Sequence, residues 1–344
     1  MNTEPFDNNE NGSSFSYIPY GAPDPWQLDA RKREKKALRF QGLLGGGALL
    51  CTIGVQYVVV FLMMALNVYD KYENDSLFQS GADILIVLLS ILLPFVIFGK
   101  ALQKRTGIEE PLPLGAPKSK ALFFLAVPAG LGLCMVANIA TSYFTVAASA
   151  FGVELSSPEL AMPEGVLGVL TSFCRVAVVA AVVEELAFRG FVMQNLRPFG
   201  DRFAIVMSAF VFAFMHGNLI QAPFALIAGC ALGYLAVKTD SLWTSIVVHA
   251  LNNSISLLIS YLGESMDTQA LTRLSSIIIY GLIFIGSICF LAFYLKTSSA
   301  GVSARRRRTL LSGTQKAFSY LTAPTMIIVI VIMLYTTSKF VNPR

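Results

Sequence analysis

Nine apolar segments, most of them near the roughly 20 residues that an α-helix needs to cross a bilayer, constrain the fold of this chain most strongly. They lie at about 41–68, 81–99, 121–149, 165–195, 203–219, 221–237, 242–262, 275–295 and 322–338. With 55% hydrophobic and 14% charged residues among 344, the chain is too apolar for a soluble protein of this length. We therefore predict an all-α, polytopic transmembrane helical bundle of about 8–9 spanning helices, because two of the segments are short for full spans.

Charges between these segments predict the orientation of the bundle. Basic residues dominate the stretches 31–39, 100–120 and 296–320, whereas acidic residues dominate 69–80 and 150–164. By the positive-inside rule, the N-terminus is expected in the cytoplasm. The net charge of +5 therefore concerns topology and lipid headgroups, and we expect no nucleic-acid partner.

The apolar segment 165–195 carries charges that a lipid-facing helix would exclude. Each of Glu184, Glu185 and Arg189 costs about 2.5–3.5 kcal/mol at bilayer depth on insertion scales. Glu185 and Arg189 share a helix face, so an ion pair would hold Glu185 charged, whereas Glu184 points about 100° away. The two carboxylates thus have unequal environments, as a base and its support require. Arg175, earlier in the segment, is interpreted as a packing or interface residue.

Both histidines of the chain, His216 and His249, also fall inside apolar segments. Phe212 precedes His216 by one helical turn, and Asn253 follows His249 by one. If a turn near 199–201 joins antiparallel helices, the two glutamates and His216 each lie on the order of 20 Å from it, and so at one depth. His249, about nine residues from the turn at Asp240, is expected to be shallower.

These residue types in a membrane cavity fit the hydrolysis of an amide. A glutamate can take a proton from water, while histidine and asparagine donors can stabilise the oxyanion that forms when the water attacks. A zinc site fits less well, because the motif H-E-x-x-H is absent, so no cofactor is expected. The five cysteines lie in apolar segments without metal-ligand spacing and are interpreted as small buried hydrophobic residues.

Three motifs carry a resemblance to a known family. They are Glu184-Glu185-x-x-x-Arg189, Phe212-x-x-x-His216 and His249-x-x-x-Asn253, in the order and spacing E-E-x-x-x-R, F-x-x-x-H and H-x-x-x-N. Over about residues 164–262 the sequence resembles the CAAX prenyl endopeptidase and bacteriocin-processing membrane proteases, also called the CPBP or Abi family. The resemblance implies an all-helical intramembrane endopeptidase with a cavity open to the cytoplasm.

The resemblance also implies roles for the motif residues. Glu184 would activate water, with Glu185 and Arg189 supporting it, and His216 would belong to the water-activating group. The oxyanion site would consist of His249 and Asn253. The family has been described both as metalloproteases and as metal-independent glutamate proteases, and the missing zinc motif favours the second description.

We therefore expect a protease that cleaves a peptide or a membrane-anchored protein, of the CAAX type or with a role in peptide maturation or bacteriocin immunity. Membrane lipids are the other expected partners, and a bacterial cell membrane is the expected location. Two alternatives stay open: a non-catalytic scaffold or immunity protein, and a proton-coupled transporter. The transporter is disfavoured because no pair of broken helices stands in matching halves of the chain.

Five parts make up the predicted organisation. They are a disordered cytoplasmic tail (1–40), N-terminal transmembrane helices (41–150), a catalytic helical core (164–262), a helix with a basic linker (263–320) and a C-terminal transmembrane helix (321–344). The last helix lies beyond the linker and is expected to be an appendage. In the first helix, Gly42-x-x-x-Gly46 is a weak signal for packing against a neighbour, because the surrounding run is rich in glycine.

Overall fold

The chain forms a bundle of long helices in the computed structural model, which describes residues 25–106, 112–157, 165–299 and 309–343. Within these ranges, seven helices are long and apolar enough to cross a membrane. The number rises to eight if two helices that meet at 82° near the C-terminus are taken as one span. The predicted all-α polytopic architecture is thus confirmed.

The elements follow one another in a simple order. The first part of the chain forms α1 (Pro25–Ala65), α2 (Tyr69–Asn74), a continuous helix made of α3 (Ser76–Val87), the π-helical segment π1 (Leu88–Leu92) and α4 (Leu93–Thr106), and then α5 (Lys120–Ala150). A second continuous helix consists of α6 (Gly165–Phe173), π2 (Cys174–Val179), α7 (Ala180–Glu184), π3 (Glu185–Met193), α8 (Gln194–Leu196) and a 3-10 turn (Arg197–Phe199). The remaining helices are α9 (Asp201–Phe214), α10 (Ala222–Thr239), α11 (Leu242–Gly263), α12 (Thr268–Ser299), α13 (Gly313–Leu321) and α14 (Pro324–Ser338). A short antiparallel ribbon pairs β1 (Val153–Leu155) with β2 (Val341–Pro343).

Helix α1 begins at Pro25, so the last part of the predicted disordered tail 1–40 is helical. Residues 1–24 of that tail lie outside the described residues. The basic stretch before the membrane span is rich in lysine, arginine and glutamate, which are good helix formers. Its helix is also held by tertiary contact, because Glu34 accepts a hydrogen bond of 2.9 Å from the backbone N–H of Leu310.

Helix α9 is shorter than the predicted span 203–219. Its 14 residues rise only about 21 Å, which is too short for the roughly 30 Å of a hydrocarbon core. The helix ends at Phe214 because the chain turns at Gly217, whose φ of +64° suits a residue without a Cβ atom. His216 consequently lies in the turn after α9 and not inside a spanning helix.

Helix α14 packs along α1, so the prediction of a separate C-terminal appendage is wrong. The contact uses the Gly42-x-x-x-Gly46 motif: a Cβ atom on Gly46 would lie 2.5 Å from Thr325 Oγ1 and 2.6 Å from the backbone nitrogen of Met326. Small residues permit this close approach of two helix backbones. The motif is therefore a packing site between α1 and the C-terminal helices.

Two apolar cores hold the bundle together, and α11 belongs to both. Ile246 of α11 joins the first core, where Phe188 of π3 packs with Phe212 of α9. Val248 of the same helix joins the second core, against α5, α10 and α12. His249 directly follows Val248, so α11 presents it at the boundary between the two cores.

Candidate active site

The two adjacent glutamates lie where α7 gives way to π3, and their surroundings differ. The Glu185 side chain is completely buried, and its Oε1 atom accepts a hydrogen bond of 2.7 Å from Nη1 of Arg189, which is also buried. The Glu184 side chain keeps 23% of its surface exposed. The ion pair expected from the spacing is thus observed, although the helix is π-helical here, a geometry that is frequent at functional sites.

His249 of α11 stands between the two carboxylates. Its Nδ1 atom lies 2.9 Å from Glu185 Oε1, and its Nε2 atom lies 3.7 Å from Glu184 Oε2. Since an ionised carboxylate can only accept, Nδ1 is assigned as the donor to Glu185. The prediction that His249 lies shallower than the glutamates is wrong: the π-helical turns of π3 hold more residues per turn, so counting 1.5 Å per residue overestimates the depth of the glutamates.

Phe212 of α9 connects the charged residues with both histidines. The Arg189 guanidinium lies 4.4 Å from the centre of its ring, a cation–π contact. The ring of His216 meets Phe212 edge-on at 4.9 Å between centroids, and the ring of His249 lies 6.1 Å away. One buried aromatic ring thus fixes the relative positions of three of the six predicted site residues.

His216 has its tautomer set by the backbone. Its Nδ1 atom lies 3.0 Å from the carbonyl oxygen of Phe212, which can only accept, so Nδ1 carries the proton. In this tautomer of the imidazole, Nε2 has a lone pair and can only accept. Such a nitrogen can accept a hydrogen bond from a water molecule.

A cavity of about 450 Å³ opens at Glu184 and His216, within the size range of small-molecule binding sites. Phe188 and Phe212 form its floor beside these two residues. The opposite wall comes from α1 and α14, through Thr52, Gln56, Tyr57, Ile332, Met333 and Thr336. Among the described lining residues, Glu184 is the carboxylate that a molecule in the cavity would meet.

Asn253 has its hydrogen-bond partner on a different segment from the other predicted site residues. Its amide nitrogen donates a hydrogen bond of 3.0 Å to the carbonyl oxygen of Val176, in the π-helical segment π2. Neither Asn253 nor His249 is among the described residues that line the cavity. The structure therefore joins the glutamates, Arg189 and His249 directly. It connects His216 to them through Phe212 and the cavity, and Asn253 through the backbone of π2.

Residues 166–255, which contain all six predicted site residues, match the family model described as type II CAAX prenyl endopeptidase Rce1-like. This part of the chain is similar to the CAAX proteases that the model describes. The match leaves out α1 and α14, which form the opposite wall of the cavity. No curated protein and no solved structure matches the chain significantly.

The cavity beside the matched segment is completed by residues that the sequence analysis did not select. Thr52 and Gln56 of α1 lie one helical turn apart in an otherwise apolar stretch and both line the cavity. Two polar side chains on one face of an apolar helix indicate a face that is turned away from lipid, and this pattern was available in the sequence. Thr336 of α14 gave no comparable signal, because it lies near the end of its apolar segment.

A second ion pair, partly buried, supports the matched segment from the side of α3. Arg175 of π2 pairs with Asp83, and the Tyr72 hydroxyl donates a hydrogen bond of 2.7 Å to the same carboxylate. Burial is the main reason that the pKa of Tyr72, in the loop helix α2, lies well above its usual range. Arg175 directly precedes Val176, so this pair and Asn253 hold neighbouring residues of π2.

Several candidate ligands of a zinc ion at this site already have other partners. Within the described part of the chain, no three His, Cys, Asp or Glu side chains form a group that could hold a metal ion. Glu185 Oε1 is already bonded to Arg189 and His249, and His216 Nδ1 to a backbone carbonyl. Glu185 Oε1 and the Nδ1 atoms of both histidines are therefore not available as zinc ligands in this arrangement.

Proposed function

We propose that the chain is an intramembrane endopeptidase in which Glu184 activates a water molecule for attack on a peptide bond. The observation that carries this proposal is the difference between the two glutamates. Glu185 is buried and bonded to Arg189 and His249, whereas Glu184 faces the cavity together with His216. A carboxylate that is accessible and near a hydrogen-bond acceptor is suited to act as a general base.

In the proposed reaction, a water molecule in the cavity is held by Glu184 and by Nε2 of His216. Glu184 takes one proton while the water oxygen bonds to the carbonyl carbon of the substrate, so that the carbonyl oxygen becomes an oxyanion. The oxyanion then collapses, the C–N bond breaks, and Glu184 returns its proton to the leaving amine. The step needs no group other than water and the substrate, and we propose that no metal takes part.

His249 is the proposed donor to the oxyanion. With Nδ1 donating to Glu185, a protonated His249 would carry a second N–H at Nε2, on the side of Glu184. The charges of Glu184 and Glu185 would then balance those of Arg189 and His249, which makes a charged imidazole tolerable in this buried site. Glu185 and Arg189 act as positioning residues, because they orient the ring of His249.

Peptides or membrane-anchored proteins are the proposed substrates, and the surrounding lipid is the second partner. The apolar floor and the mixed wall of the cavity favour a chain with apolar side chains. Cleavage of prenylated CAAX sequences, peptide maturation and bacteriocin immunity are uses of one chemistry, and they differ in whether the substrate carries a lipid.

The test is cleavage by the purified protein in proteoliposomes. Two probes are used: a quenched fluorescent peptide that ends in a farnesylated CAAX sequence, and a degenerate library of unprenylated quenched peptides. We expect turnover of at least one probe, its loss in Glu184→Gln and His216→Ala, and its retention in Glu264→Gln, a glutamate at the exposed end of α11. Turnover that persists in Glu184→Gln, or a folded wild type that cleaves neither probe, would contradict the proposal and favour a scaffold or immunity role.

Metal dependence has a separate test. We expect the protein to stay active after dialysis against a chelator, with no stoichiometric zinc in elemental analysis. Loss of activity that zinc restores would overturn the metal-free mechanism while leaving the endopeptidase proposal intact.

A further inference from the structure

A second cavity, of about 30 Å³, lies beside the cavity at Glu184 and has polar side chains of its own. It is bounded by α1, α4, α13 and the continuous helix of π3 and α8. Phe95 of α4 lines both cavities, and its ring packs 5.4 Å from the ring of Phe188 on the floor of the first. The side chain of Phe95 therefore forms the partition between the two spaces.

One face of α1 runs along both cavities. The second cavity is lined by Gln41, Gly45 and Ala48 of this helix, and the first by Thr52 and Gln56. Steps of three or four residues keep all five on one side of a helix. At 1.5 Å per residue, Gln41 lies about 16 Å from Thr52 along the helix axis. The two cavities are thus successive spaces beside the same helix face.

Gln41 carries a buried amide that the protein does not satisfy. The residue is 3% exposed, and neither Nε2 nor Oε1 has a hydrogen-bond partner within the part of the chain that the structure describes. The Tyr320 hydroxyl lies in the same cavity, where a Cβ atom on Gly45 would be 2.8 Å from it. Asn195 donates through Nδ2 to the carbonyl oxygen of Phe191 at 2.8 Å, and its Oδ1 atom can accept. Buried polar groups of this kind are satisfied by protein or by bound water.

Water is the ligand that fits the second cavity. A volume of about 30 Å³ has room for about two water molecules, and a buried water needs two to four polar partners. The amide of Gln41 and the hydroxyl of Tyr320 can each donate and accept, and Asn195 adds a further acceptor. An apolar molecule of this size would leave the amide of Gln41 unbonded, which is costly in a buried site.

We propose that the second cavity is a hydration site whose water molecules supply the reaction at Glu184. This inference rests on the proposed endopeptidase function, which consumes water each time a bond is cleaved. Phe188, Phe212, Ile332 and other apolar side chains line the first cavity, so an apolar substrate segment that fills it displaces water. Water held by Gln41 stays outside the volume that the substrate occupies, and rotation of the Phe95 ring lets it pass to Glu184.

Radiolytic footprinting tests the binding of water without relying on turnover. A short X-ray pulse converts water into hydroxyl radicals, which oxidise the neighbouring side chains, and mass spectrometry reports the oxidation of each residue. The full-length protein is exposed in lipid nanodiscs. Tyr320 reports on the second cavity, and Tyr57 on the cavity at Glu184. Phe293, fully buried in the second apolar core, reports on an interior without polar partners for water.

Two substitutions at Gln41 separate its amide from its volume. Gln41→Met removes the amide and keeps a side chain of similar length, whereas Gln41→Asn keeps an amide. We expect Tyr320 to be oxidised in the wild type, to lose most of this oxidation in Gln41→Met and to keep part of it in Gln41→Asn, with Tyr57 unchanged. Oxidation of Tyr320 no higher than that of Phe293, or equal in the wild type and Gln41→Met, would overturn the proposal.

Unfolding in detergent gives an independent check. If the second cavity is dry, Gln41→Met replaces an unbonded polar group and should raise the free energy of unfolding. If water is bound, the same substitution removes hydrogen bonds, and we expect the free energy of unfolding to fall. A stabilised Gln41→Met variant would therefore overturn the proposal. Elution as the wild-type species in size-exclusion chromatography establishes that each variant is folded.

Kinetics link the hydration site to cleavage. Because the site supplies water and does not touch the substrate, Gln41→Met should lower kcat for the peptide probes by about tenfold with KM unchanged. Gln41→Asn should recover part of this loss. An unchanged kcat, or a rise in KM at constant kcat, would overturn the supply role. Since radiolysis needs no substrate, a hydrated protein that cleaves no probe would contradict the proposed endopeptidase function alone.

Discussion

Arg189 and His249 bind the same oxygen atom of Glu185, at 2.7 and 2.9 Å. A carboxylate oxygen that accepts two such hydrogen bonds in a buried site orients both of its partners. The arrangement separates Glu185, which holds the histidine, from Glu184, which faces the cavity. The first predictions follow from this separation.

Glutamine substitutions at the two glutamates should affect different properties: Glu184→Gln should lower activity, and Glu185→Gln should lower stability. Glu184→Gln removes the proposed general base, and we expect turnover to fall by about 10²–10⁴-fold with the stability nearly unchanged. Glu185→Gln leaves Arg189 without its counter-charge, and we expect the free energy of unfolding in detergent to fall by about 3–5 kcal/mol. Turnover and denaturant titration of both variants measure the two effects. Equal losses of stability in the two variants would contradict the assignment.

Arg189→Ala should destabilise the protein far more than the removal of an exposed arginine in a pair of the same spacing. Breaking a buried ion pair typically costs about 3–5 kcal/mol, because one charge is left buried and uncompensated. Arg33 pairs with Asp29 at 3.1 Å, also four residues apart, but both side chains are more than 60% exposed. We expect Arg33→Ala to cost less than about 1 kcal/mol. The comparison uses unfolding free energies at one detergent concentration.

The kinetics of Asn253→Ala distinguish a positioning role from a direct one. Loss of its hydrogen bond to the Val176 carbonyl should cost about 1 kcal/mol of stability. If Asn253 also binds the oxyanion in the reacting complex, kcat should fall by about 10²–10³-fold. Since its amide already donates to the Val176 carbonyl in this structure, we expect a smaller loss of kcat.

Ser254→Ala is the control for this variant. Ser254 is the next residue of α11, and its hydroxyl donates a hydrogen bond of 2.6 Å to the carbonyl oxygen of Ala250 in its own helix. Its removal should change neither kcat nor stability appreciably. A kcat for Asn253→Ala as low as that of Glu184→Gln would instead support the oxyanion role that the family resemblance implies for Asn253.

Local spacing predicted the charged part of the site, because such interactions lie within a few residues of one another. The pairing of Glu185 with Arg189 needs only that both lie on one helix face. The contact between His249 and Glu185 joins residues 64 positions apart, and its depth depends on the extra residues that π3 accommodates. No apolar periodicity signals a π-helical segment, so the estimate for His249 was wrong.

The turn at His216 and the cavity wall opposite Glu184 depend on tertiary packing, which the sequence pattern does not reveal. The turn that carries His216 depends on a single residue, Gly217, within an apolar run that resembles a longer helix. The wall opposite Glu184 depends on the packing of α14 against α1, although the two are separated by most of the chain. Hydrophobicity shows that each helix spans the membrane, but it does not specify its neighbours.

The close contact between α1 and α14 leads to the last prediction, for Gly46. A methyl group at this position would lie 2.5 Å from Thr325 Oγ1 and 2.6 Å from the Met326 nitrogen, so Gly46→Ala must push the helices apart. Overpacking of this kind costs about 1–3 kcal/mol, and it should also lower turnover because α14 forms the wall of the cavity. Gly54, two turns further along α1, has nothing within 4 Å of such a methyl group. Gly54→Ala should therefore leave turnover unchanged and stabilise the helix slightly. Parallel measurement of unfolding and turnover separates the two glycines, and an unaffected Gly46→Ala would show that α1 and α14 do not form this contact in the folded protein.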